Sequence, residues 1–184
     1  MLLREVAQIA STTADHLSID SRIDGAAAFK ILRSNVASNP LVFGAAIAYE
    51  PGTFAGRQLF GPYAYRQGKD MDEIVTTELD YDYTQPAWEW WHLPREASTG
   101  VWTEPYFDEG GGNIYMTTFS APFFREGHFT GVATIDIPLE PLKQLISSLQ
   151  GEQGERFLLL SARQRILYSD NADTIGQPVL EVYP

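Results

Sequence analysis

Leu2, Val6, Ile9, Thr13 and Leu17 recur at spacings of three and four, the period that lines one face of an α-helix, so residues 2–18 predict an amphipathic helix with one buried stripe. Asp20 or Ser21 punctuates it. A second helical stretch carries Phe29, Leu32 and Val36 on one face and stops near Asn39-Pro40, because the residue before a proline is driven out of the α region. From residue 41 the helical period is lost. Residues 41–49 form a continuous apolar run closed by Pro51-Gly52, and residues 59–66 form an aromatic-rich run; together they predict a hairpin. Residues 68–100 hold many polar groups and sustain neither a period of 2 nor one of 3.6, which predicts short helices and loops. Residues 101–104, 114–121 and 129–137 read as three more strands. The first two of these are separated by the turn Asp108-Glu109-Gly110-Gly111-Gly112-Asn113, the last two by Arg125-Glu126-Gly127-His128. Residues 139–149 predict a short helix ending at Gly151, and residues 156–161 with 166–168 a last small hairpin. Two helices ahead of a roughly five-stranded antiparallel sheet make an α+β architecture.

The length of 184 residues suits one well-cored domain, or one domain plus an appendage. The only candidate boundary is the Gly-Glu-Gln-Gly stretch at 151–154. A formal net charge of -11 with no clustered Lys or Arg leaves no electrostatic footprint for nucleic acid or an anionic membrane. Cysteine is absent, which removes disulfides, thiolate metal sites and a Cys nucleophile but fits either redox compartment. No run approaches the roughly 20 apolar residues of a membrane helix, and Arg4 and Glu5 stand where a signal peptide would have its apolar core. The expectation is a soluble piece.

Three features carry candidate chemistry. Trp88, Trp90 and Trp91 fall within four residues and cannot all point one way from a helix or a strand; they are either core or the wall of a pocket. Asp136 interrupts the apolar run GVATIDIP, so if buried it requires a partner, either a ligand or the protein itself. Asp108 opens a glycine-rich turn that supplies too few carboxylates for a calcium cage. His16, His92 and His128 have no metal-ligand spacing, so neither a metal nor a cofactor is expected. Glu89, Glu104 and Asp108 beside tryptophans leave two sugar-directed alternatives. One is a glycosidase with paired carboxylates; the other is a carbohydrate-binding module with Trp88, Trp90 and Trp91 as its platform. A nucleophile-elbow pattern is missing.

The stretches YTQPAWEWW (83–91), WTEPYFD (102–108) and GVATIDIP (131–138) lie in this order behind a long N-terminal helix. They are followed by FLLLSARQRILYSDNADTIGQPV (157–179). Together they resemble the double Cache family, the extracellular PAS-like sensors of transmembrane receptors. The resemblance implies a non-enzymatic, extracytoplasmic sensing fragment whose receptor is membrane-anchored outside this piece, with a histidine kinase, chemoreceptor, cyclase or phosphatase output. It implies N-terminal helices at 1–38, a membrane-distal PAS-like lobe at 39–150 and a truncated proximal lobe at 151–184, dimerising through the first helix. Against the amino-acid-binding pattern of that family, Tyr83, Trp90, Tyr106, Asp108 and Asp136 match. Trp88 departs where an Arg belongs, and Trp91 where a Tyr belongs. The implied small-molecule site is therefore Tyr83, Trp88, Trp90, Trp91, Tyr106, Asp108 and Asp136. Losing the Arg removes a bidentate grip on a carboxylate. Acidic groups beside aromatic faces suit a cationic amine instead.

Overall fold

The computed structural model describes all residues except 1, 69–70, 109–113, 142–143, 145–157, 162, 170 and 175–176. Helix α1 (Leu2–Ile19) turns Val6, Ala10, Ala14 and Leu17 inward, as its period of three and four dictates. Helix α2 (Gly25–Ser38) is opened by Asp24, whose carboxylate accepts the Ala27 N–H at 2.8 Å, a side-chain cap for one of the helix's orphan donors. It ends at Asn39, in extended backbone before Pro40, and buries Ala28, Leu32 and Val36.

The strands are β1 (Gly44–Tyr49), β2 (Pro62–Gln67), β3 (Glu73–Glu78), β4 (Val101–Trp102), β5 (Tyr106–Phe107), β6 (Tyr115–Arg125) and β7 (His128–Pro138). They form one seven-stranded antiparallel sheet in the order β3-β2-β1-β7-β6-β4, with β5 also pairing β6. The α+β architecture is as expected, but the sheet has seven strands rather than about five. The polar segment after residue 68 hides β3, which pairs all along β2 at the sheet edge and exposes Glu73 and residues 76–78. An edge strand wetted on one side and charged at both ends carries little apolar period to read. The strand expected at 101–104 is the shorter β4, and a further short strand, β5, follows Pro105, which has no N–H to give to the ladder.

The centre of the sheet is the β6–β7 hairpin. Its two-residue turn, Glu126-Gly127, has φ of 52° and 78°, the left-handed pair that matches the twist of the flanking strands. Helix α3 (Glu89–Ala97) carries Trp90 and Trp91, with Trp88 at its N-cap.

Alternate residues of each strand point to opposite faces, and the two faces differ in chemistry. On one, Ala45, Ile47 and Tyr49 of β1, Ala121 and Phe123 of β6 and Ala133, Ile135 and Ile137 of β7 pack against α1 and α2 as the main core. Residues 2–38 are thus one layer of the same unit as the sheet. On the other face, Ala48 and Val132 pack against Tyr83, Trp90 and Trp91.

Near the C-terminus, β8 (Leu159–Leu160) and β9 (Ile166–Tyr168) form a separate two-stranded ribbon, followed by a single helical turn, α4 (Val179–Val182). Leu159 of this ribbon rests against the main core. The short helix expected at 139–149, the start of the last hairpin and the boundary at 151–154 fall largely outside the described residues.

Candidate ligand-binding site

A small pocket lies on the α3 side of the sheet. Its floor is Ala46 of β1, Tyr63 of β2, Thr118 of β6 and Thr134 and Asp136 of β7; its roof is Leu79, Tyr81, Trp90, Tyr106 and Asp108. Register explains the floor, because Asp136 lies opposite Gly44 on one neighbour and Thr118 on the other. Gly44 leaves the space that these side chains fill: a Cβ there would collide with the Tyr63 hydroxyl and stand 2.7 Å from Asp136 Oδ2.

Asp136 is 5% exposed. Its Oδ1 accepts a hydrogen bond from Thr118 Oγ1 at 2.8 Å. The Tyr106 hydroxyl is also 2.8 Å from Thr118 Oγ1. A hydroxyl has one proton to give, so with Asp136 ionised the chain runs Tyr106 to Thr118 to Asp136, each link polarising the next. One hydrogen bond does not satisfy a buried carboxylate, whose two oxygens offer about four acceptor positions. Burial, and then the nearby Asp108, push the Asp136 carboxyl up to about 7, while the Thr118 and Tyr63 hydroxyls oppose that rise. Asp108 is itself buried.

The Tyr63 hydroxyl is buried beside Asp136, and among the described residues it makes no well-formed hydrogen bond; its proximity still helps to hold the Asp136 carboxyl down. Burial holds the Tyr63 and Tyr106 hydroxyls well above the usual phenol range, and the field of Asp136 adds to it; both remain neutral donors. Among the described residues that line the cavity, two are acids and none is a base.

The cavity brings together Trp90, Tyr106, Asp108 and Asp136 of the seven residues singled out in the sequence. Tyr83 and Trp91 are not at its wall. Tyr83 is fully buried behind the roof, donating its hydroxyl to the Tyr49 carbonyl at 2.7 Å and accepting the Phe60 N–H at 3.2 Å. That polar tip is tied to the edge of β1 and cannot turn into the cavity. Trp91 is also fully buried, packed edge-on against Trp90 and Phe129, because consecutive helical residues point about 100° apart. Trp88 lies outside the cavity, packed against Tyr81 with ring centroids 4.4 Å apart and the rings tilted at 31°.

Trp88 lines an adjoining outer cleft with Glu89, Trp90, Glu104, Tyr106 and Arg163. Tyr63, Tyr81 and Thr118 were not anticipated from the sequence. Tyr81 precedes Tyr83 by two in Asp80-Tyr81-Asp82-Tyr83, where an irregular loop gives no period to say which ring turns inward.

The model of the methyl-accepting chemotaxis protein-like first PDC sensor domain matches residues 29–144, the span that holds the sheet, the cavity and every residue of its lining. The chain belongs to this family. Two methyl-accepting chemotaxis proteins are similar to it. PscA of Pseudomonas syringae pv. tomato is 29% identical over 103 residues, covering 56% of this chain and 16% of that protein. TlpQ of Pseudomonas aeruginosa is 25% identical over 150 residues, covering 69% of this chain and 20% of that protein. The chain thus spans a fifth or less of the length of these two relatives.

Among solved structures, the extracellular domain of a histidine kinase designated mmHK1S-Z3 superposes with a TM-score of 0.78 at 25% identity, covering 99% of this chain and 69% of that one. The ligand-binding domain of the Pseudomonas aeruginosa chemoreceptor PctC, in complex with GABA, shares the fold with a TM-score of 0.63 at 21% identity, covering 99% of this chain and 76% of that one. The chain is a sensor domain of this family, with the fold of these extracellular and ligand-binding domains. No described helix is long and apolar enough to cross a membrane.

Proposed function

We propose that this domain senses a small organic cation, an amine held by Asp108 and Asp136 inside an aromatic wall. One observation carries the reading: a buried cavity lined by two carboxylates and, among the described residues, no base. Two acids confined together in a poorly hydrated space repel each other, and a bound ammonium would remove both that repulsion and the unmet hydrogen-bonding capacity of Asp136. Trp90, Tyr81 and Tyr106 add ring faces that attract cations by about 0.5–2 kcal/mol each where the geometry suits. The ligands named for structural neighbours, GABA in PctC and L-Arg in PctB, both carry an ammonium group.

The sugar-directed alternatives fit less well. Trp90 and Trp91 stand at 81° to each other, and Trp91 is sealed, so the three tryptophans do not form a flat platform. Glu89 and Glu104 face the outer cleft while Asp108 faces the inner cavity, so they do not flank a common sugar. We therefore read the fragment as non-enzymatic.

The receptor reading goes with it. Residues 39–150 act as the ligand-binding lobe and 151–184 as the start of a proximal lobe. α1 carries the signal from a membrane-anchored homodimer, by shifting the balance between two receptor conformations. A thermal-shift panel of alkylammonium and quaternary ammonium salts, amino acids, simple carboxylates and sugars tests the ligand class, with Asp136→Asn as control. Ligand at about 100 times its dissociation constant adds about 2.7 kcal/mol, a rise of roughly 5–10 °C for a domain of this size. A rise confined to ammonium compounds and absent in the control is expected. A rise with acetate or lactate and none with amines would overturn the reading.

A further inference from the structure

Arg163 lies in the turn between β8 and β9, far along the chain from the cavity, yet it closes over the cavity's outer side. Its guanidinium donates to Glu89 Oε1 at 2.7 Å, and its backbone N–H donates to Glu104 Oε1 at 2.8 Å. Glu89 is the first residue of α3, directly before Trp90. Glu104 lies between β4 and β5, two residues before Tyr106. Trp90 and Tyr106 are the two side chains that line both the inner cavity and the outer cleft; they are the partition between them. Bonded to both carboxylates, Arg163 thus joins the two segments that carry the two halves of this partition.

We propose that Arg163 is a clasp on the ligand's route into the cavity. It pins the Trp90 and Tyr106 halves of the partition together and sets how fast, and how large, a ligand passes from the outer cleft to Asp108 and Asp136. The proposal rests on the cavity being the ligand site. Because Arg163 belongs to the C-terminal ribbon, the clasp also makes that ribbon part of the gate: opening the partition pulls on β8 and β9. The pair is exposed, with 60% of the Arg163 side chain and 39% of the Glu89 side chain open to solvent. A contact of that kind is weak enough to break and re-form at each passage.

The test uses the whole chain and two readouts. In the first, without ligand, acrylamide quenching of tryptophan fluorescence is compared between the parent and Arg163→Ala, each also carrying Trp90→Phe to identify the signal from that ring. Arg163→Ala is expected to raise the quenching slope by about 1.5- to 2-fold, and Trp90→Phe to remove most of the gain. In the second, stopped-flow binding of n-butylammonium is expected to show association and dissociation both about 3- to 5-fold faster in Arg163→Ala, the range set by an exposed ion pair. The dissociation constant should change less than 3-fold. Glu89→Gln should act likewise, and the swapped pair Arg163→Glu with Glu89→Arg should return the rates towards the parent's.

Unchanged quenching in Arg163→Ala overturns the clasp, as does a loss of affinity with unchanged association. If n-butylammonium fails to bind the parent, the amine reading fails and the quenching experiment alone decides the clasp.

Discussion

The two faces of this sheet are built from the same strands and differ in what they tolerate. On the helix face, Ile47, Ile135 and Ile137 meet Leu17, Leu32 and Val36, all fully buried and all apolar. On the cavity face, residues one step along the same strands are Ala46, Thr134 and Asp136, beside a buried tyrosine hydroxyl that makes no well-formed hydrogen bond among the described residues. The first arrangement stabilises the fold and could be exchanged for other apolar residues of equal volume. The second costs stability, since a buried and under-bonded carboxylate is unfavourable. The lesson is a division of labour with a period of two: one face holds the domain together, and the other keeps unmet polar capacity in place for a ligand.

The division is most severely tested by moving one step along β7. Ile135→Ala should destabilise by about 2–5 kcal/mol, the range for deleting a large buried aliphatic group, read from urea unfolding. The affinity of the remaining folded protein for an ammonium ligand should stay within about 2-fold. Asp136→Asn should do the reverse. The folded-state carboxyl titrates at about 7 against 3.8 for the ordinary group, so between those values the folded protein holds a proton that the unfolded chain has released. Stability therefore falls as pH rises from about 4 to 7, and the full cost is present above 7.

Asparagine escapes that cost. At pH 8 without ligand the variant should be more stable than the parent by about 1–3 kcal/mol, a figure reduced for relaxation around the buried charge. The gain should vanish near pH 3.5, where both forms are neutral, and ammonium binding should be lost at every pH. A variant less stable than the parent at pH 8 would mean that Asp136 holds the fold together and does not strain it.

The helix face was also the more legible of the two in the sequence, for the same physical reason. Periods of 3.6 and 2 report burial, so Val6, Leu17, Leu32 and the strand runs announced themselves. The cavity face is legible only where it breaks a rule. Asp136 stands out because an acid within GVATIDIP has to be answered by something, and Asp108 and Tyr106 came from the family resemblance carried by WTEPYFD at 102–108. Tyr63 breaks no rule, since a tyrosine in an aromatic-rich strand is ordinary core. Gly44 reads as an unremarked small residue until the side chains it makes room for are seen. Tyr83 and Trp91 were assigned to the pocket because motifs fix sequence position and not orientation. One rotation along α3 sends Trp90 to the cavity and Trp91 into the packed layer behind it. Arg163 lay beyond reach, being brought to the outer cleft only by tertiary structure.

Ligand binding offers a finer comparison on the cavity face itself. Alkylammonium ions keep their proton well beyond neutral pH, like the lysine side chain near 10.4. The pH dependence of binding below 8 therefore belongs to the protein. With Asp136 at about 7, an ammonium binds only after that proton leaves, so affinity should rise about tenfold between pH 6 and pH 8 and then level off, as measured by isothermal titration calorimetry in buffers of different ionisation enthalpy. Proton release should be seen at pH 6 and be nearly absent at pH 8. A flat profile would place the charge on Asp108 alone.

The smallest effect separates the carboxylate from its support. Thr118→Val keeps the shape of the side chain and removes the hydroxyl that donates to Asp136 Oδ1 and receives Tyr106. That hydrogen bond favours the charged form of Asp136, so its loss should carry the midpoint of the binding profile upward by about half a pH unit to one unit, with affinity at pH 7 falling about 2- to 5-fold, within the roughly 1.5–3 kcal/mol that a hydrogen bond to a charged group contributes. Affinity at pH 9 should recover most of that loss, because the carboxylate is ionised there with or without Thr118. Recovery at high pH would assign Thr118 to tuning the acid; equal weakening at pH 7 and pH 9 would show instead that its hydroxyl meets the ligand directly.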